Sequence, residues 1–162
     1  MSNDTSTRPP APAPDALPPE DMDFVGGVRV PGDGGKLTLW RRGSEFSLRV
    51  HGAELMNSRV HESEDALSEL AAAELAGTSS PVILIGGLGM GFTLAAALKR
   101  LDAGAKVVVA ELVSQVVAWN RGPLGPLAGH PLNDPRVVLR EMDVARILQS
   151  EEDAYHAILL DV

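Results

Sequence analysis

The sequence predicts an α/β domain built on a mainly parallel sheet, with a small β-hairpin element ahead of it. Three observations carry this expectation. Short β-branched runs alternate with helical stretches from residue 63 onward. One of these runs, Pro81-Val-Ile-Leu-Ile, leads directly into the glycine cluster Gly86-Gly87-Leu88-Gly89-Met90-Gly91, which opens an alanine-rich helix. The following run ends on Glu111, about 20 residues beyond the last glycine, a spacing typical of β-α-β units that hold nucleotides.

Taken in order, residues 1–21 are dominated by Pro, Ala, Ser, Thr and Asp. That composition buries too little apolar surface to offset its ordering entropy, so a disordered tail is expected. Residues 22–60 form the N-terminal hairpin element. Leu37 and Leu39, then Phe46, Leu48 and Val50, alternate with other residues around the turn Arg42-Gly43-Ser44, and a third short strand is expected over 53–58. Residues 61–162 make the nucleotide-binding domain. A helix over 63–76 presents Ala66, Leu67, Leu70, Ala71 and Leu75 at helical spacing, closed by Gly77. Strand 82–85, helix 91–101, strand 106–110 and helix 112–120 follow. A Gly/Pro-rich loop then runs through Pro135 to strand 137–140, helix 144–149 and strand 157–160. The sequence given stops just after this fourth strand, so the sheet reads as incomplete, either truncated there or covered by another subunit.

Composition narrows the function classes. A 162-residue chain that is 44% hydrophobic has the size and apolar content of one folded domain. Its formal charge of −8 opposes broad binding to a phosphate backbone, so no nucleic-acid partner is expected. With no cysteine, disulfides, thiolate catalysis and cysteine metal sites are excluded. His51, His61, His130 and His156 stand too far apart in sequence to suggest a metal site, and no metal is expected. There is no signal-like start and no long apolar span, so the expectation is a cytoplasmic protein without a membrane partner.

The glycine cluster carries the chemistry. Glycines at a strand-to-helix junction let backbone N–H groups approach a ligand, and the helix N-terminus favours an electron-rich group. Gly86, Gly87, Gly89 and Gly91 are therefore candidate cofactor-binding residues, and Glu111 is placed to accept ribose hydroxyls. Each also has a purely structural reading: a tight turn for the glycines, and a helix-leading carboxylate for Glu111.

From Leu37 to its end the chain resembles the spermidine synthase group, polyamine aminopropyltransferases on a Rossmann-like methyltransferase fold. The matching residues are the hairpin, His61-Glu62 heading a helix, the Gly86–Gly91 loop, Glu111, Asp134-Pro135-Arg136-Val137, Asp143 and Tyr155-His156-Ala157-Ile158-Leu159-Leu160-Asp161. The resemblance implies a role in polyamine biosynthesis, by transfer of an aminopropyl group from decarboxylated S-adenosylmethionine to a small-molecule amine. The glycine loop would hold the donor's amino-acid portion, Glu111 its ribose and Asp143 its adenine amino group. His61 and Glu62 would contact the amine substrate, and Asp161 would receive or orient its proton as the catalytic residue. Asp143 also reads as a helix N-cap, and Asp161 as a strand-terminal acid.

The chain departs from the family pattern in places. The family loop commonly reads G-G-G-D-G-G, and here Leu88 and Gly89 replace its third glycine and its aspartate. Val60 stands where the family has tyrosine, and its hairpin glutamine has no clear equivalent. Two alternatives stay open: a methyltransferase using S-adenosylmethionine on the same fold, and a non-catalytic nucleotide-binding paralogue, with a homodimer through the hairpin element. A nicotinamide dehydrogenase is disfavoured, because the glycine order is G-G-x-G-x-G rather than G-x-G-x-x-G.

Overall fold

A computed structural model describes residues 21–32 and 34–160. All of the expected tail except Asp21, together with Asp161, lies outside the described residues. Two four-stranded sheets make up the fold.

The N-terminal sheet is an antiparallel meander of β1 (Asp23–Arg29), β2 (Lys36–Arg42), β3 (Glu45–Val50) and β4 (Ala53–Asn57). Alternation along β2 and β3 turns Leu37, Leu39, Phe46 and Leu48 to one face, where all are buried. The second sheet is parallel and comprises β5 (Val82–Gly86), β6 (Lys106–Ala110), β7 (Val137–Arg140) and β8 (Ala157–Leu160), in the order β7-β6-β5-β8. Its central strands are apolar apart from the exposed Lys106 that opens β6, because both faces are covered. Ile83, Leu84, Ile85, Val107, Val108 and Val109 have almost no exposure.

Four helices supply that cover: α1 (Glu62–Glu74), α2 (Phe92–Arg100), α3 (Ser114–Arg121) and α4 (Val144–Ser150). One large core joins α2, α3, β5, β6 and the buried face of the N-terminal sheet. A smaller core lies on the opposite face, where Ile147 of α4 meets Leu84, Val108 and Ala110, with Tyr155 packed against them. From β5 the chain winds outward through β6 to β7, then returns to place β8 beside β5. The direction of winding reverses between β5 and β8, and the carboxyl ends of the strands around that switch form the usual ligand crevice.

Two ion pairs fix helix ends to the sheet. Arg136, just before β7, donates from Nε and Nη2 to the two oxygens of Asp134 (2.9 and 2.8 Å). The same guanidinium donates to the carbonyls of Leu98 (2.9 Å) and Leu101 (2.7 Å), closing the carboxyl end of α2. At the end of α4, Glu151 accepts the Tyr155 hydroxyl (2.5 Å) and pairs with Arg140. The Tyr155 hydrogen bond, and then Arg140, hold the Glu151 carboxyl below its ordinary range.

The structure corrects the expected elements in three places. Strand β1 was absent from the sequence reading because Gly26 and Gly27 interrupt its β signal. It nevertheless pairs along β2, with a register shift between Phe24 and Gly26. On α1, Leu70 is 68% exposed, whereas Glu64 and Ser68 are buried. The packed stripe is rotated because the small Ser68 meets α2 directly and donates its hydroxyl to the Thr93 carbonyl (3.0 Å). Helix α3 starts at Ser114 rather than at 112, since Val113 is the extended residue that precedes its first turn.

Hydrogen bonding from Arg136 holds the Asp134 carboxyl down to about 2. A depressed carboxyl stabilises the fold fully above its unfolded value, near about 4, and loses that contribution as pH falls through about 2. Urea denaturation should therefore find Asp134→Asn less stable than the parent by about 1–3 kcal/mol at pH ~6, with the gap closing near pH ~2.

Candidate functional site

At the carboxyl ends of β5 and β6 a half-open cavity of about 480 Å³ lies between the two sheets, within the range that holds a small ligand. The glycine loop, the end of β6, the start of α3, the β7–α4 turn and the underside of the N-terminal sheet contribute to its lining.

Glu111 is the central side chain. It follows β6 directly and is only 7% exposed. Its Oε2 accepts the Leu88 N–H of the glycine loop (2.9 Å), and its Oε1 accepts the Val113 N–H ahead of α3 (2.8 Å). Two backbone donors thus fix the carboxylate and offset the cost of burying it. Each carboxylate oxygen has further acceptor capacity, so the pair of hydroxyls on a ribose is a chemically matched partner.

The loop itself is shaped from α3. Asn120, 2% exposed, donates from Nδ2 to the carbonyls of Gly89 (2.8 Å) and Val116 (3.0 Å). Gly91 takes the left-handed conformation, with φ of 84°, at the N-cap of α2. A Cβ there would come within 2.9 Å of the Asn120 Oδ1, so this close approach requires glycine. That oxygen is buried and has no partner among the described residues.

Four of the expected site residues come together: Gly87, Gly89, Glu111 and Asp143 all line the cavity. Asp143 is also the N-cap of α4, accepting the Ala145 N–H (2.9 Å) through Oδ1. Gly86 lies in β5, its Cα packed toward Leu160 and Val144, and Gly91 faces inward toward Asn120. His61 and Glu62 head α1 and do not line the cavity. The His61 ring stacks on Phe92 with centroids 4.4 Å apart, and its Nδ1 lies 3.1 Å from an Asp65 oxygen. Asp161, the expected catalytic residue, is outside the described residues.

Several lining residues escaped the sequence reading, notably Leu55, Met56, Leu112, Val113 and Met142. One signal was available: Leu55 and Met56 are adjacent apolar residues in a strand of five, where strict alternation would separate them. Asn120 gave no such signal, because a polar residue near a helix end ordinarily faces solvent. Among the described residues, no group of three or more His, Cys, Asp or Glu could hold a metal ion, and no helix is long and apolar enough to cross a membrane.

No protein-family model matches the chain, and no curated protein matches its sequence. Solved structures do match. The spermidine synthase of Thermotoga maritima superposes with a TM-score of 0.66 at 17% identity, over 85% of this chain and 46% of that one. A spermidine synthase in complex with the transition state analogue AdoDATO gives a TM-score of 0.66 at 17% identity, over 86% and 46% of the two chains. The O-methyltransferase TomG from Streptomyces achromogenes is a more distant likeness, with a TM-score of 0.48 at 16% identity, over 64% and 44%. The chain therefore has the fold of the spermidine synthases and spans somewhat under half the length of those it matches.

Glu111→Gln tests the two backbone hydrogen bonds that Glu111 accepts. A neutral amide presents only one acceptor oxygen, leaving either the Leu88 or the Val113 N–H without its partner. The variant is expected to lose about 1–3 kcal/mol in urea denaturation with an unchanged denaturant slope.

Proposed function

We propose that this chain forms the donor-binding part of an aminopropyltransferase of the spermidine synthase kind, with decarboxylated S-adenosylmethionine as donor and a small polyamine as acceptor. One observation carries the choice of donor. Glu111 and Asp143 are the charged residues among the described lining of the cavity, and no Lys, Arg or His accompanies them. A site with two carboxylates and no cation favours a donor that carries a sulfonium and an ammonium but no carboxylate. The fold shared with spermidine synthases supports the same reading.

In this reading Glu111 takes the ribose hydroxyls, and Asp143, whose carboxylate takes one backbone N–H at α4, accepts the adenine amino group. The amine nitrogen bonds to the carbon next to the sulfonium, the C–S electrons return to sulfur as a neutral thioether, and the amine proton passes to a carboxylate. Asp161 is the residue proposed for that proton, with His61 and Glu62 on the acceptor side. Orientation and deprotonation are what such a transfer requires of a protein.

Calorimetry on the whole chain with decarboxylated S-adenosylmethionine, S-adenosylmethionine and methylthioadenosine tests the donor. The decarboxylated donor should bind at least about tenfold more tightly than S-adenosylmethionine, a difference of about 1.4 kcal/mol. Preference for S-adenosylmethionine would point to methyl transfer, and failure of all three to bind would leave a non-catalytic protein. In an aminopropyl-transfer assay, Asp161→Asn should abolish turnover with donor affinity retained.

A further inference from the structure

Strand β4 is irregular beside the cavity. Leu48 pairs with Met56 and Arg49 with Glu54, which leaves Leu55 as an extra, unpaired residue. Neighbouring residues of a regular strand point to opposite faces. A bulge bends the strand and re-aims its side chains, and here Leu55 and Met56 both line the same cavity. Met56 lies against the glycine loop, where a Cβ placed on Gly89 would stand 2.9 Å from the Met56 Cε and 3.0 Å from its Sδ. Leu55 is 63% exposed at the mouth.

We propose that the bulged pair Leu55–Met56 is the specificity-determining wall of the donor site, selecting for a short chain without a carboxylate beyond the donor's sulfur. This rests on the donor reading above. The side chains of the wall supply hydrocarbon and a thioether, neither of which donates a hydrogen bond to a carboxylate. Anionic groups are costly to bury against such a surface, whereas an unbranched methionine conforms well to a methylene chain. The wall also accounts for the loop facing it. Gly89 has a φ of 52°, a backbone conformation that favours glycine, and a side chain at that position would meet the tip of Met56 and displace it from the loop. Gly89, without a side chain, leaves room for Met56 to lie over the loop where the family carries an aspartate.

Calorimetry on the full chain with methylthioadenosine, decarboxylated S-adenosylmethionine and S-adenosylmethionine tests this by ratio. Met56→Ala should raise the affinity for S-adenosylmethionine relative to methylthioadenosine about tenfold, the scale on which apolar contacts discriminate substrates. Methylthioadenosine itself should change less than about threefold, and Met56→Leu should keep the parent ratio. Leu55→Ala, at an exposed position, should move the ratio the same way and covers the case in which Met56→Ala does not fold. An unchanged ratio in a folded variant overturns the proposal. If none of the three ligands binds the parent chain, the donor reading itself has failed and this inference falls with it.

Discussion

The site depends on a single buried carboxylate. Glu111 accepts one backbone N–H from the glycine loop and one from the entry to α3, so the end of β6 is tied to both segments that surround the cavity. Without it, Leu88 and Val113 would each bury an unpaired N–H, which native structures rarely tolerate. Helix α3 then returns the constraint, because its Asn120 holds the Gly89 carbonyl. Strand, loop and helix form a closed circuit of hydrogen bonds, and the same charge that completes the circuit faces the cavity.

The circuit is rigid because its supports are core elements. The large core runs without a break from Leu37, Leu39, Phe46 and Leu48 of the N-terminal sheet to Ile83, Ile85, Val107 and Val109 of the parallel sheet. The wall over the glycine loop therefore belongs to the same packed body as the loop's own strand. Close-packed interiors resist small displacements, so the cavity has walls held by packing as well as by hydrogen bonds. Arg136 contributes at the far end of α2, where it satisfies two carbonyls that the helix leaves open. The resemblance placed Asp134 and Arg136 in a family motif, and their geometry gives that motif a structural purpose.

Much of this was legible in the sequence. The parallel sheet was read strand by strand, because continuous β-branched runs such as 106–110 and glycine punctuation at Gly86–Gly91 are local signals. The spacing placed Glu111 at the end of the strand after the glycine loop, but not its hydrogen bond from the Leu88 N–H. Strand β1 was hidden by Gly26 and Gly27, whose lack of side chains removes the signal that alternation relies on. The approach of Met56 to the glycine loop and the inward turn of Asn120 are tertiary facts: each depends on a partner more than 30 residues away along the chain, Gly89 in both cases. A helical pattern also could not show that Ser68, rather than Leu70, meets α2, since the choice depends on how closely the two helices approach.

The two sides of the cavity differ in the physics they offer a ligand. On the strand-end side, Glu111 and Asp143 are acceptors held by backbone N–H groups, suited to the hydroxyl and amino donors of a nucleoside. Among the described residues the opposite side presents apolar side chains, chiefly Leu55 and Met56, and can discriminate by shape and by the cost of desolvation. Preorganised acceptors select strongly against a ligand that lacks the matching donor, whereas an apolar wall distinguishes ligands that differ by a methylene only modestly. In the proposed reading, nucleoside identity is therefore the stringent part of recognition. The choice among donor chains, in the same reading, is the part that a few substitutions, at Met56 and at the loop glycine beneath it, are placed to alter.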